Sequence, residues 1–191
     1  MASQLEIVNQ VLTEFSALPV TNVNDSDAAF LISQRLPILI IDLLKHAAWN
    51  FAIKYRTDNT PLTQNISPDF LYNYQLPPDY CRFDRFSWSN SPQFGFYYRI
   101  IDNVIMTNTK PINYYYVTNT IDLANITAPF EMALVYYLAY TLCIPITQDK
   151  TLREELRKEY KEWLDKAIQQ NNMERYISST PYNDFDRQVY I

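Results

Sequence analysis

The residues of this chain best suited to chemistry are few and scattered: one histidine, His46, two cysteines, Cys81 and Cys143, and carboxylate pairs such as Asp79 with Asp84 or Asp184 with Asp186. A catalytic base at His46 would need a nucleophile within hydrogen-bond reach. Its neighbours are Ala47 and Ala48, and no serine or cysteine stands at motif spacing; an ordinary helical histidine is expected. Zinc takes three or four N or S ligands, and no motif marks out carboxylates to complete a set. A glycosidase pair is assembled by the fold and not by spacing, so these acids read as solvated loop residues. Phosphate-cradling loops need several glycines for close backbone approach, and Gly95 is the only glycine here. P-loop and Rossmann readings are excluded. The residues predict a protein that is not an enzyme and holds no metal or cofactor.

The charge balance narrows the partners. Net charge is -5 and the sixteen lysines and arginines are dispersed, so no basic block neutralises a run of phosphates and tight nucleic-acid binding is not expected. Met1-Ala2-Ser3-Gln4-Leu5-Glu6 lacks the basic and apolar regions of a signal peptide. The apolar run Leu36 to Leu44 contains Pro37 and Asp42 and is far short of the ~20 residues that cross a bilayer; no membrane span is expected. Cys81 and Cys143 are read as reduced thiols, with a disulfide as the alternative.

These residues must be positioned by elements the spacing predicts. A chain of 191 residues, half of them hydrophobic, is long enough for a single domain burying roughly 70% of its unfolded surface. Ser3-Gln4-Leu5-Glu6 has capping-box spacing ahead of Leu5, Val8, Leu12 and Phe15, which predicts a first helix over 4–17 ended by Pro19. Ser26 or Asp27 caps a second helix reaching about Asn50, kinked at Pro37; a buried strand over Ile38–Ile41 is the competing reading. From Tyr55 to Asp122 the chain turns to short aromatic runs between Asn, Asp, Ser and Pro, predicting strands and irregular loops. Phe94–Arg99 and Val104–Thr107 form a hairpin with Asp102-Asn103 at its turn, and Asn113–Val117 is another strand. With one glycine, turns fall to Asn, Asp and Pro. Helical spacing returns after Pro129, with Phe130, Ala133, Leu134, Tyr137, Leu138 and Thr141 on one face, and Pro145 stops that helix. Thr151-Leu152-Arg153-Glu154 repeats the capping pattern and opens a helix over about 149–172, with Glu154/Lys158 and Glu162/Lys166 as i, i+4 pairs. The fold class is α+β, mainly α: an antiparallel helical bundle (1–52 and 128–175), a β-rich hairpin insertion (53–127) and an extended C-terminal tail (176–191).

Sixteen tyrosines and ten phenylalanines allow three readings: core, sugar-stacking surface or protein interface. Tyr97, Tyr98, Tyr114, Tyr115 and Tyr116 alternate faces if they lie on strands, so one set faces the core and the other needs a partner. Tyrosine suits subunit interfaces because it combines apolar area with a hydroxyl that still reaches water. An oligomer is the favoured explanation, and a carbohydrate-binding or fibre module is the alternative.

Trp49-Asn50-Phe51-Ala52 at the end of a long helix, then Leu62 and Phe70-Leu71-Tyr72-Asn73-Tyr74-Gln75-Leu76-Pro77-Pro78-Asp79-Tyr80-Cys81-Arg82, resemble the phage tail tubular protein A family. These are the head-to-tail adaptor, or head-completion, proteins of short-tailed phages. The resemblance extends to Ala17-Leu18-Pro19-Val20, Ala128-Pro129-Phe130 and Cys143-Ile144-Pro145-Ile146-Thr147-Gln148, and so spans about residues 5–175. It implies a structural virion protein at the head–tail junction, assembled in the host cytoplasm as a dodecameric ring. That ring would dock on the portal, lengthen the DNA channel without binding DNA specifically, and receive the next tail or nozzle protein. The roles expected are structural for Trp49, Asn50, Phe51, Leu76, Pro77 and Asp79, and a subunit or tail interface for Tyr97, Tyr98 and Tyr114 to Tyr116. Tyr182, Phe185, Val189, Tyr190 and Ile191 are expected to bind the portal as a tail.

Overall fold

A computed structural model describes residues 3–63, 67–87 and 97–177. The described chain is α+β, with four α-helices and two small antiparallel sheets. It divides into two compact units, one of residues 1–36 with 126–191 and the other of residues 37–125.

The first unit is helical. Helix α1 (Gln4–Glu14) opens with the expected capping box: Ser3 N–H donates to Glu6 Oε2 at 2.6 Å and Glu6 N–H to Ser3 Oγ at 3.2 Å. It ends before residue 17, because Ser16 takes the left-handed conformation (φ 55°) and the N–H groups of Ser16 and Ala17 bond back to Thr13 and Leu12 carbonyls. This closure is usually made with glycine. Ser26 caps α2 (Asp27–Leu44) through Ala29 N–H at 3.1 Å. Helix α3 (Ala128–Thr147) packs along α4 (Lys150–Ile177), and α1 packs on α3. Tyr137 and Tyr160 stack at 4.6 Å between α3 and α4. Ile7, Val11, Ile32, Phe130, Leu134, Leu138 and Leu142 are buried, whereas Thr141, expected on the same face as Phe130, is exposed.

Three sequence expectations need correction in this unit. Pro145 does not stop α3, which runs two residues further and ends where Gln148 turns left-handed (φ 59°). Proline removes one donor, so the Thr141 carbonyl joins the last-turn carbonyls that already lack an intrahelical partner. Helix α4 is capped by Asp149, whose carboxylate accepts the N–H groups of Thr151 and Leu152 at 2.8 and 3.0 Å; Thr151 lies inside the helix. Glu154 pairs with Arg157 at 3.5 Å, and Lys166 sits over the Trp163 ring at 4.3 Å. Helix α3 is also, by length and composition, apolar enough to cross a membrane, although eight of its residues are buried in the fold.

The unit boundary falls inside α2 at Leu36/Pro37. Pro37 cannot donate to the Ser33 carbonyl, yet the helix continues to Leu44, so a helix and not a strand covers Ile38–Ile41. The helix stops six residues short of Asn50. Leu43 O accepts His46 N–H at 3.2 Å and the Trp49 indole N–H at 3.1 Å, which satisfies a terminal carbonyl.

The second unit carries six strands: β1 (Ile53–Asp58), β2 (Tyr72–Gln75), β3 (Tyr80–Phe86), β4 (Tyr98–Ile101), β5 (Val104–Thr107) and β6 (Ile112–Thr118). One sheet has the order β1-β6-β3 and the other β2-β5-β4. The β4–β5 hairpin has the expected turn, with both Asp102 (φ 50°) and Asn103 (φ 60°) left-handed, the requirement of a tight two-residue turn, but its first strand runs past Arg99 to Ile101, which pairs with Val104. Its Phe94–Phe96 portion lies outside the described residues. The core of this unit joins both sheets: Tyr74, Leu76 and Ile105 meet Ile112, Tyr114 and Tyr116, with Tyr80, Phe83, Phe86 and Ile100 around them.

Candidate interaction surface

Because side chains alternate along a strand, β6 divides its tyrosines. Tyr114 and Tyr116 point into the core and are 0% and 5% exposed. Each phenol is satisfied by a carboxylate at the core edge. Tyr114 donates to Asp58 Oδ2 at 3.0 Å, where Arg56 Nε also binds. Tyr116 donates to Asp79 Oδ1 at 3.1 Å, and Asp79 further accepts from Thr118 Oγ1 at 2.9 Å and from Lys54 Nζ at 2.6 Å. The Lys54 bond, with those of Thr118 and Tyr116, holds the Asp79 carboxyl below the ordinary carboxylate range. Burial and then Asp79 push Tyr116 up to about 12, and burial raises Tyr114 further. These two carboxylates are occupied in holding the sheet together.

Tyr115 faces outward and sits in a row set by strand register: Tyr55 on β1, Tyr115 on β6 and Arg85 on β3. Tyr55 and Tyr115 rings lie 5.1 Å apart, and the Arg85 guanidinium covers the Tyr115 ring at 4.6 Å. The adjoining row is Ile53, Val117 and Arg82. Val117 is buried, and Arg82 Nη1 donates to Lys45 O at 3.2 Å past the end of α2. Tyr55, by contrast, is 53% exposed. The outer face therefore presents an aromatic and cationic strip.

The sequence-predicted residues are distributed as follows. Tyr114 and Tyr116, expected at an interface, leave no ring surface for a partner, because the β6 alternation turns them inward. Tyr115 remains, and Tyr97 is 78% exposed. Tyr98 is half-exposed and packs on Phe83 and Phe86 at 4.9 and 5.1 Å. Trp49 is fully buried, with Phe51 half-buried 6.1 Å away, and Asn50 opens a short 3-10 turn rather than closing a helix. Leu76 is buried and donates to Asn103 O at 2.8 Å. Pro77 accepts from Tyr80 N–H at 3.0 Å, closing the β2–β3 turn. Tyr182, Phe185, Val189, Tyr190 and Ile191 lie outside the described residues.

Sequence reasoning missed Tyr55, Arg82 and Arg85. Arg82 and Arg85 are three apart, which in a regular strand puts them on opposite faces; register shifts around Cys81 and Asp84 bring both outward. The Tyr55 signal was available in the alternation of Ile53, Tyr55 and Thr57.

Among the described residues, no three His, Cys, Asp or Glu side chains converge on a common point. A shallow depression of about 250 Å³ is lined by the uncharged Gln4, Leu5, Thr21, Asn22 and Val23. His46 is exposed just past α2, Cys81 is half-buried and Cys143 buried, both as free thiols. No family model matches the chain, and no curated protein matches it.

Proposed function

We propose that this protein is a structural virion component, the subunit of a ring that adapts a phage portal to its tail, and that it catalyses no reaction. The observation that carries the reading is the order and spacing of its motifs, Trp49-Asn50-Phe51-Ala52 followed by Phe70 to Arg82 and Ala128 to Gln148. Their structural behaviour supports it: Trp49 ties the end of α2 to the start of β1, and Leu76 to Asp79 form the turn that leads into β3. In this reading the helices of 1–52 and 128–175 form an antiparallel bundle in a dodecameric ring, residues 53–127 are the insertion that meets neighbours and the next tail protein, and the tail expected from 176 begins only after α4, which runs to Ile177. Tyr182, Phe185, Val189, Tyr190 and Ile191 of that tail contact the portal, DNA passes without specific contacts, and no membrane is involved. Electron microscopy of the protein mixed with its cognate portal tests this. A ring stacked on the portal is expected, and free portals beside unassembled subunits would overturn the reading.

The exposed Tyr55 ring favours one second reading, a carbohydrate-binding or fibre module that stacks a sugar on it. Specific binding on a glycan array, without portal binding, would establish that reading instead.

A further inference from the structure

The outer face of the β1-β6-β3 sheet concentrates positive charge in a chain whose net charge is -5. Arg82 and Arg85 point outward from β3 in adjoining rows, and Lys45 is exposed where its carbonyl receives Arg82. Among described residues, Arg82 and Lys45 form no ion pair. Arg85 gives Nη1 to Asp84 at 2.8 Å, and its guanidinium lies flat on Tyr115. An arginine has five donors, so that pairing uses a small part of its capacity. Successive outward positions on a strand lie about 7 Å apart, which fixes the spacing of acceptors that could bridge both guanidinium groups. The bulge in β3 creates this geometry.

The sequence holds a match: Tyr182-Asn183-Asp184-Phe185-Asp186. An extended segment directs residues two apart to the same side at about 7 Å, so Asp184 and Asp186 can face Arg85 and Arg82 together. Arg187 follows and leaves the segment net acidic. An extended chain covers about 3.5 Å per residue, so nine residues span at most roughly 30 Å. We propose that the Arg82/Arg85 pair on this face binds the Asp184–Asp186 segment of a second copy of this chain. Each copy then gives a tail and receives one, a head-to-tail contact that can close into a ring. The proposal deepens the homo-oligomer part of the proposed function and rests on that part alone.

Sedimentation velocity of the full chain and two charge-reversed variants tests it, one carrying Arg82→Glu and Arg85→Glu, the other Asp184→Arg and Asp186→Arg. The parent is expected to self-associate, and raised salt to weaken that association by screening exposed charges. Each variant alone should associate roughly tenfold more weakly, the effect of losing two exposed charge pairs. Mixing the two should restore association, because each strip then meets a tail of opposite sign. Parent-like association of both variants would overturn the contact while leaving the ring reading intact. A monomeric parent would overturn it too, with portal-driven ring formation still read separately by microscopy. If a thymidine oligonucleotide binds the parent and not the arginine-reversed variant while the chain stays monomeric, the strip is a nucleic-acid surface and the proposal falls.

Discussion

Asp79 illustrates how much one side chain organises. It receives Lys54, Tyr116 and Thr118 with its carboxylate, and its carbonyl accepts Asn119 N–H at 2.8 Å. Asp79→Ala would leave a buried phenol and a buried hydroxyl without their acceptor, a loss of about 2 kcal/mol in urea unfolding at neutral pH. Because the folded carboxyl titrates below its ordinary value of 3.8, its stabilisation is complete above that value and is lost as pH falls through the lowered folded one. An Asp79→Asn chain should therefore lose less stability between neutral and acid pH than the parent does; equal losses would show that the carboxylate adds nothing. At the alkaline end the sign reverses. Tyr116 is raised to about 12 from 10.0, so its contribution holds below pH 10 and is lost as pH rises through the folded value. Ultraviolet titration should show Tyr114 and Tyr116 ionising only as the fold is lost, and a Tyr116→Phe chain should resist alkali better.

Glycine scarcity has its consequences at the level of elements. Ser16, Asp102, Asn103 and Gln148 all take positive φ, where a side chain costs roughly 1 kcal/mol. Asn and Asp tolerate this conformation best, which is why the Asp102-Asn103 hairpin was legible in the sequence. Ser16 and Gln148 carry no such signal, and the two helix ends they form were misplaced by a few residues for that reason. Gln148→Gly should raise stability by about 0.5–1 kcal/mol, read as a higher urea midpoint; an unchanged midpoint would mean the left-handed residue is unstrained. Capping at Ser3 and Ser26 was equally legible, because the bonding residues are adjacent in sequence. The outward strip was not: it depends on which strands neighbour β6 and on bulges within β3, and neither leaves a periodic trace in the chain.

For the molecule as a whole, the sequence suggested a bundle interrupted by an insertion over 53–127, while the described fold divides at 36/37 and 125/126. Pattern alone could not locate that division, because residues on both sides of Pro37 share one helix and one apolar run. The tryptophans fall unevenly across it. Trp49 is fully buried in the β-containing unit with its indole N–H bonded to Leu43 O, and Trp163 is half-buried on α4 of the helical unit. Replacing Trp88, which lies outside the described residues, and Trp163 by phenylalanine leaves an emission spectrum belonging to Trp49 alone. Far-ultraviolet circular dichroism is dominated by the helices of the other unit. Followed together through a urea titration, the two signals should give separate midpoints if each core melts on its own, and a shared midpoint would mark a single cooperative block. The burial of one indole thus gives the chain an internal fluorophore that reports on half of its fold.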